Sequence, residues 1–238
     1  MIFFNKYRKY VLKEFILLSL GLLIFLVSCK SVPIYEVKLS IDYENRGIIT
    51  GEGFYNDNDL VNLIAYPNPG YKFIGWVDSN NDLVSTNEFY SFFISENINL
   101  KATYSISAFI INYVLFGGKN NPLNPRNFNV ESENIILEPA TKYGYSFHGW
   151  TIDVINKGTV GNVTTTALFL PNSFLILKVI NSDIILEDTA YFDMLYTPET
   201  PVLVGRKFVG WFLDQNYNDR ILFPIFPTSN FVIYAKFE

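Results

Sequence analysis

Beyond residue 35 the apolar residues come in short runs, several of them alternating with polar ones. Val37-Lys38-Leu39-Ser40-Ile41, Leu100-Lys101-Ala102-Thr103-Tyr104 and Ile233-Tyr234-Ala235-Lys236-Phe237 each repeat with a period of two, the pattern of a half-buried strand. Gly47-Ile48-Ile49-Thr50-Gly51-Glu52-Gly53 reads as a Gly-rich hairpin. Ile, Val, Phe, Tyr and Thr favour strands throughout, and Asn, Asp and Gly clusters punctuate them as turns. No stretch of this part shows a long amphipathic helix. The predicted class is mainly β, from many short strands.

The first 28 residues differ in kind. Lys6, Arg8, Lys9 and Lys13 precede Phe15 to Ser28, fourteen residues without a charge. As a helix that run spans ~21 Å, short of the roughly 30 Å hydrocarbon core of a bilayer. A cleaved export signal, helical over 1–28, fits better than a permanent span. At its end stands Leu26-Val27-Ser28-Cys29, which resembles the lipobox of bacterial lipoproteins. A thiolate is a strong nucleophile able to take a diacylglyceryl group, and a small residue before it admits a peptidase. The resemblance implies cleavage between Ser28 and Cys29 and acylation of Cys29, with residues 29–34 as a tether. Two acyl chains anchor stably where one is marginal. The expected location is the extracellular face of the cell membrane, with membrane lipid as the first partner.

The rest of the chain repeats one signature. Gly70-Tyr71-Lys72-Phe73-Ile74-Gly75-Trp76, Gly144-Tyr145-Ser146-Phe147-His148-Gly149-Trp150 and Gly205-Arg206-Lys207-Phe208-Val209-Gly210-Trp211 share Gly, Phe, Gly and Trp at four fixed offsets, and they hold all three tryptophans. Pro67 and Pro69, Pro139, and Pro201 lie upstream of the three copies. The first Gly follows a turn and can take φ > 0. Trp lies three residues after Phe, which in a regular strand puts them on opposite faces. A bulge at Gly75, Gly149 and Gly210 would return Trp to the Phe side. The prediction is one buried aromatic cluster per copy, with the tryptophans as core rather than ligand platforms.

Closing strands begin 24 and 22 residues after Trp76 and Trp211. For the middle copy Ser173–Ile180 is a candidate close, and Ile184–Phe192 either ends it or opens the third. The modules so delimited are 35–106, 107–180 and 181–238, the last without a clear opening. The signature resembles the internalin-type B-repeat superfamily, which includes the Listeria–Bacteroides repeats and the divergent bacterial repeats. The first copy is similar to the divergent type along its length. The second opens with Ile111-Asn112-Tyr113-Val114-Leu115-Phe116-Gly117-Gly118, similar to the other type. The resemblance implies tandem small β-rich, β-grasp-like modules of surface proteins, with no catalytic residues to carry over.

Composition narrows the function. Of 238 residues, 49% are hydrophobic, 17% aromatic and 17% charged, which excludes wholesale disorder. The net charge is −5, and −8 once residues 1–28 are removed, so a nucleic-acid partner is not expected. One Cys excludes an internal disulfide framework.

Candidate chemistry has a plainer explanation at each point. Asp78-Ser79-Asn80-Asn81-Asp82 starts like a calcium loop but lacks Gly at the sixth position (Leu83) and Glu at the twelfth (Phe89). Asp214-Gln215-Asn216-Tyr217-Asn218 fails likewise, and Asx turns account for both. His148 stands where the other copies have Ile74 and Val209, a packing position. Asn56-Asp57-Asn58-Asp59 reads as a solvated turn. Gly117-Gly118-Lys119 lacks phosphate-loop spacing, and Asn162-Val163-Thr164 is an uninformative sequon. No metal, cofactor or catalytic residue is expected. The reading is a lipid-anchored surface lipoprotein whose modules serve as spacer or adhesion modules toward a cell-surface protein or glycan. The alternative is a carbohydrate- or peptide-binding module using exposed aromatics, and a hydrolytic enzyme comes third.

Overall fold

The computed structural model describes residues 31–238; the expected leader helix, the expected Ser28–Cys29 cleavage and the start of the expected 29–34 tether fall outside the described residues. Among the described residues there are strands and turns and no α-helix, hence no helix long and apolar enough to cross a membrane. The chain divides into two compact units at Ile106/Ser107.

The first unit holds β1 (Ile34–Ile41), β2 (Gly47–Thr50), β3 (Gly53–Asn56), β4 (Leu60–Pro67), β5 (Tyr71–Val77), β6 (Leu83–Ser85), β7 (Phe89–Phe93) and β8 (Ile98–Ile106). They form a sheet of order β3-β1-β8-β5-β6 and a second of order β2-β4-β7. The alternation in β4 (Val61, Leu63 and Ala65 buried) meets Val37, Trp76, Leu100, Ala102 and Tyr104 of the larger sheet in one core. The expected Gly47–Gly53 hairpin is not formed: β2 pairs with β4, whereas β3 pairs with β1. Gly51, with φ of 111°, makes the corner where the chain changes sheets, and a Cβ there would collide with the Asn62 carbonyl oxygen.

The second unit contains two sheets in sequence. The first uses β9 (Phe109–Val114), β10 (Asn127–Phe128), β11 (Ile135–Ile136), β12 (Tyr145–Trp150), β13 (Val154–Ile155) and β14 (Val163–Pro171). Its order is β10-β9-β14-β12, with a separate β11-β13 ribbon. The second uses β15 (Ser173–Val179), β16 (Ile185–Tyr191), β17 (Phe208–Phe212), β18 (Arg220–Ile221) and β19 (Phe231–Phe237), in the order β16-β15-β19-β17-β18.

One arrangement thus occurs three times. An opening strand pairs antiparallel with one neighbour and parallel with the closing strand, and the closing strand pairs antiparallel with the signature strand. This holds for β3-β1-β8-β5, β10-β9-β14-β12 and β16-β15-β19-β17. The parallel pairing of first and last strands is grasp-like, but the crossover between them carries strands and loops in place of a helix.

The boundary between the second and third copies differs from the expectation. Ser173–Val179 does not close the second sheet; it is the opening strand of the third, and Ile185–Tyr191 is its antiparallel partner. The true close, β14, begins only 13 residues after Trp150, against 22 for β8 after Trp76 and 20 for β19 after Trp211, because the segment following the Trp is shorter in the second copy. Asn172 alone separates β14 from β15. Its N–H donates to the Gly144 carbonyl (2.9 Å), its carbonyl accepts from the Phe192 N–H (2.9 Å), and its side chain accepts from Ser146 Oγ (2.7 Å). The Phe192 ring packs edge-on against Tyr143 and Tyr145 over Gly144.

Candidate functional site

The repeated signature builds the same cross-strand frame in each copy. The first glycines, Gly70, Gly144 and Gly205, have φ of 90°, 77° and 78°, a turn conformation that other residues adopt at a cost. After the turn, Phe73 faces Tyr104, Gly75 faces Thr103 and Trp76 faces Ala102. Phe147 faces Phe169, Gly149 faces Leu168 and Trp150 faces Ala167. Phe208 faces Phe237, Gly210 faces Lys236 and Trp211 faces Ala235. Between Phe and Gly the ladder slips by one residue every time. The slip is a bulge, and it puts Phe and Trp on one side.

Packing follows from that register. The Phe–Trp centroids lie 5.6, 5.6 and 5.5 Å apart, all edge-on. Each Phe also meets the aromatic of the closing strand, at 5.6, 5.9 and 5.7 Å. Such pairs are worth about 0.5–1.5 kcal/mol beyond their area burial. Trp76, Trp150 and Trp211 are 0%, 7% and 5% exposed. Facing each indole is an alanine, itself buried, because a larger side chain would compete with the ring for the same space. The first and third copies each form one cluster around this frame, and the second forms two, sharing Tyr113 and Ile135.

The alanine is the residue that the sequence reading passed over in the middle copy. Thr165-Thr166-Ala167-Leu168-Phe169 has the same Ala-x-aromatic frame as the other two closes, with Thr where they have Leu100 and Ile233. Thr165 is fully buried, and its Oγ1 donates to the Ile152 carbonyl (2.8 Å) and accepts from the Ile152 N–H (3.0 Å). The hydroxyl hid the strand from a search for apolar alternation.

The indole nitrogens differ. Trp150 Nε1 donates to the Glu138 carbonyl at 3.0 Å, whereas Trp76 Nε1 is buried without a protein acceptor. The Tyr104 hydroxyl is similarly buried without a partner, and burial first, then Asp42 and Glu88, push it above the ordinary tyrosine value.

The remaining candidates resolve as turns and surface. Asp78 Oδ1 accepts from the N–H groups of Asn80 (2.8 Å) and Asp82 (2.9 Å). Asp214 accepts from those of Asn216, Asn218 and Asp219. Among the described residues no three His, Cys, Asp or Glu side chains converge as metal ligands. His148 is not a packing residue. It is the residue skipped by the bulge, exposed like its counterpart Ile74. In the Asn56–Asp59 turn the Asp59 carboxylate accepts from the Asn56 N–H at 2.7 Å. Gly118 and Lys119 run past Thr141, the Lys119 N–H donating to its carbonyl. Asn162 Oδ1 accepts from the Ile110 N–H.

One polar cluster was not visible in the sequence. In the third copy Lys178 Nζ and the Tyr196 hydroxyl both donate to Asp188 Oδ2, at 3.1 and 3.0 Å. Burial pushes the Asp188 carboxyl up, but hydrogen bonds from Lys178, Tyr196 and the Thr189 N–H outweigh it and hold it below the usual carboxylate range. Burial, then the bond to Asp188 and its charge, push the Tyr196 hydroxyl up. The cluster ties β15, β16 and the following loop together.

Sequence comparison agrees with this threefold plan. Residues 37–108 match the divergent InlB B-repeat domain, and residues 109–168 and 181–236 each match the Listeria-Bacteroides repeat domain. Both are repeat domains without catalytic function, typical of bacterial surface proteins. No curated protein matches the chain. The second Listeria-Bacteroides match begins inside the β15–β16 hairpin, which explains why the third copy reads as lacking an opening. The chain is a tandem of bacterial repeat domains, one divergent InlB B-repeat followed by two Listeria-Bacteroides repeats.

Proposed function

We propose that this protein is a lipid-anchored surface lipoprotein, held by acylated Cys29 at the extracellular face of the membrane, whose tandem modules serve as spacer or adhesion modules. The observation that carries the reading is that the same small sheet is built three times between Ile34 and Phe237, each with the Phe, Trp and closing-strand aromatic of its signature packed in its own core. The matched domains are typical of surface proteins. The anchor is supported by the uncharged run ending in Leu26-Val27-Ser28-Cys29. The test is metabolic labelling with palmitate together with membrane fractionation. Wild type is expected to be labelled and membrane-bound, and Cys29→Ala unlabelled and released. An unlabelled wild type overturns the anchor. Mature protein that binds cells, glycans or matrix supports adhesion; failure to bind any of them leaves the spacer role.

A second reading, recognition of carbohydrate or peptide, is favoured by aromatic side chains left outside the cores. Phe54, Phe93, Phe116 and Tyr143 are all well over half exposed. Substituting them is expected to remove binding while the fold survives.

A further inference from the structure

In the first unit each of the two sheets ends in a strand near one hollow. β6 is the edge of the larger sheet and β7 the edge of the smaller. Between them lies a groove of about 430 Å³. Its lining includes Tyr90 and Phe92, which also pack against the core, with Ile98, Leu100 and two acidic residues: Asp78, whose Oδ1 caps its own turn, and the exposed Glu96. Tyr90 and Phe92 are two apart on β7 and stack with centroids 5.3 Å apart, tilted by 32°. No lysine or arginine lines this groove. The adjoining smaller hollow contains Lys38, ion-paired with Glu36 at 3.1 Å, and Lys101, which donates to Asn81 Oδ1 at 2.7 Å and keeps its charge; Asp78 also lines that hollow, whereas Glu96 lies outside it. Charge is also uneven along the chain. Residues 31–106 carry four basic and ten acidic side chains, net −6, against nine and twelve in residues 107–238, net −3.

From these features we infer that the β6–β7 groove binds a basic segment of a partner protein, receiving an arginine or lysine side chain over Tyr90 and Phe92. An aromatic floor attracts a cation through the ring quadrupole, and more so where water is partly excluded. The Asp78 and Glu96 carboxylates add Coulombic attraction and select against acidic ligands. The flanking elements point to a peptide rather than a small amine. Both are edge strands, and an edge strand offers main-chain groups to an extended segment laid alongside it. The inference rests on the peptide-recognition reading and is independent of the lipid anchor.

The test uses the full chain in dodecylphosphocholine micelles, titrated by calorimetry with acetyl-Gly-Arg-Gly-Arg-Gly-amide, its Glu counterpart and tetramethylammonium. Backbone amide shifts are followed in parallel. The Arg peptide is expected to bind, to shift amides of β6, β7 and the start of β8, and to weaken as salt is raised. Glu96→Gln is expected to weaken it about three- to fivefold, the range of one exposed ion pair. Val84→Arg places a tethered cation at the groove and is expected to compete at high effective concentration, weakening binding on the order of tenfold or more. Both positions are exposed, and unchanged thermal midpoints show that the variants fold. Equal binding of the Glu peptide, indifference to both substitutions, or no binding overturns the inference. So does tetramethylammonium binding as tightly as the peptide. Peptide-induced shifts confined to other exposed aromatics overturn this groove while leaving peptide recognition intact.

Discussion

The two indoles with different hydrogen-bonding fates allow a sharp comparison. Trp76→Phe and Trp150→Phe remove the same atoms from homologous frames, so the lost hydrocarbon burial largely cancels between them. What remains is the indole N–H. Trp150 gives up a 3.0 Å bond to the Glu138 carbonyl, worth about 0.5–1.5 kcal/mol net. Trp76 gives up a donor that is fully buried without a protein acceptor, and removing it returns a desolvation penalty of about 1–3 kcal/mol. Trp150→Phe is therefore expected to cost its module roughly 2–4 kcal/mol more than Trp76→Phe costs its own. The two residues sit in separate compact units, so a whole-chain melt would mix the effects. Native-state hydrogen exchange read by mass spectrometry separates them, through peptides covering β8 and β14. The expected result is that β14 loses at least thirtyfold more protection than β8, each variant being compared with wild type. Equal losses, or a larger loss in β8, would refute the assignment of the Trp76 indole as an unsatisfied donor.

Two more outcomes follow from the polar cluster and the joint. The Asp188 carboxyl is held below its unfolded value of 3.8, so its contribution is present above that pH and lost as pH falls through the lower folded value. Tyr196 is raised above 10.0, so its contribution is present below pH 10 and lost as pH climbs through the folded value. Protection of β15 and β16 is therefore expected to fall at both extremes, and Asp188→Asn to flatten both limbs; a variant with an unchanged pH profile would contradict the coupling. At the joint, Gly144→Ala meets both a φ of 77° and the Phe192 ring. A cost of about 2–4 kcal/mol is expected from the left-handed backbone and the overpacking together, read as protease sensitivity around Asn172, and wild-type resistance in the variant would count against a packed joint.

The fold was legible where side chains carry two kinds of information at once. Gly-x-x-Phe-x-Gly-Trp encodes a turn, a strand face and a bulge in seven residues, and the register shows all three. It was illegible where a polar residue fills an apolar place, as at Thr165, whose hydroxyl is satisfied by the backbone of a segment 13 residues away. Sheet membership was equally hidden. Nothing local distinguishes a Gly-rich hairpin from a Gly-rich corner; the pairing of β2 with β4 and of β3 with β1 makes the corner, and the Asn62 carbonyl across the fold leaves room only for glycine at position 51. The β6–β7 groove brings together residues of loop, edge strands and closing strand, so only the topology could reveal it.

The parallel pairing of first and last strands bears on how each module would carry load if the chain is anchored as proposed. Tension enters each module at the start of its opening strand and leaves at the end of its closing strand. Those strands lie side by side and point the same way. A pull slides one along the other and loads the intervening hydrogen bonds together, where a hairpin pulled from its open end would yield one rung at a time. Resistance to shear is thus a property of the strand order itself, present in each of the three modules.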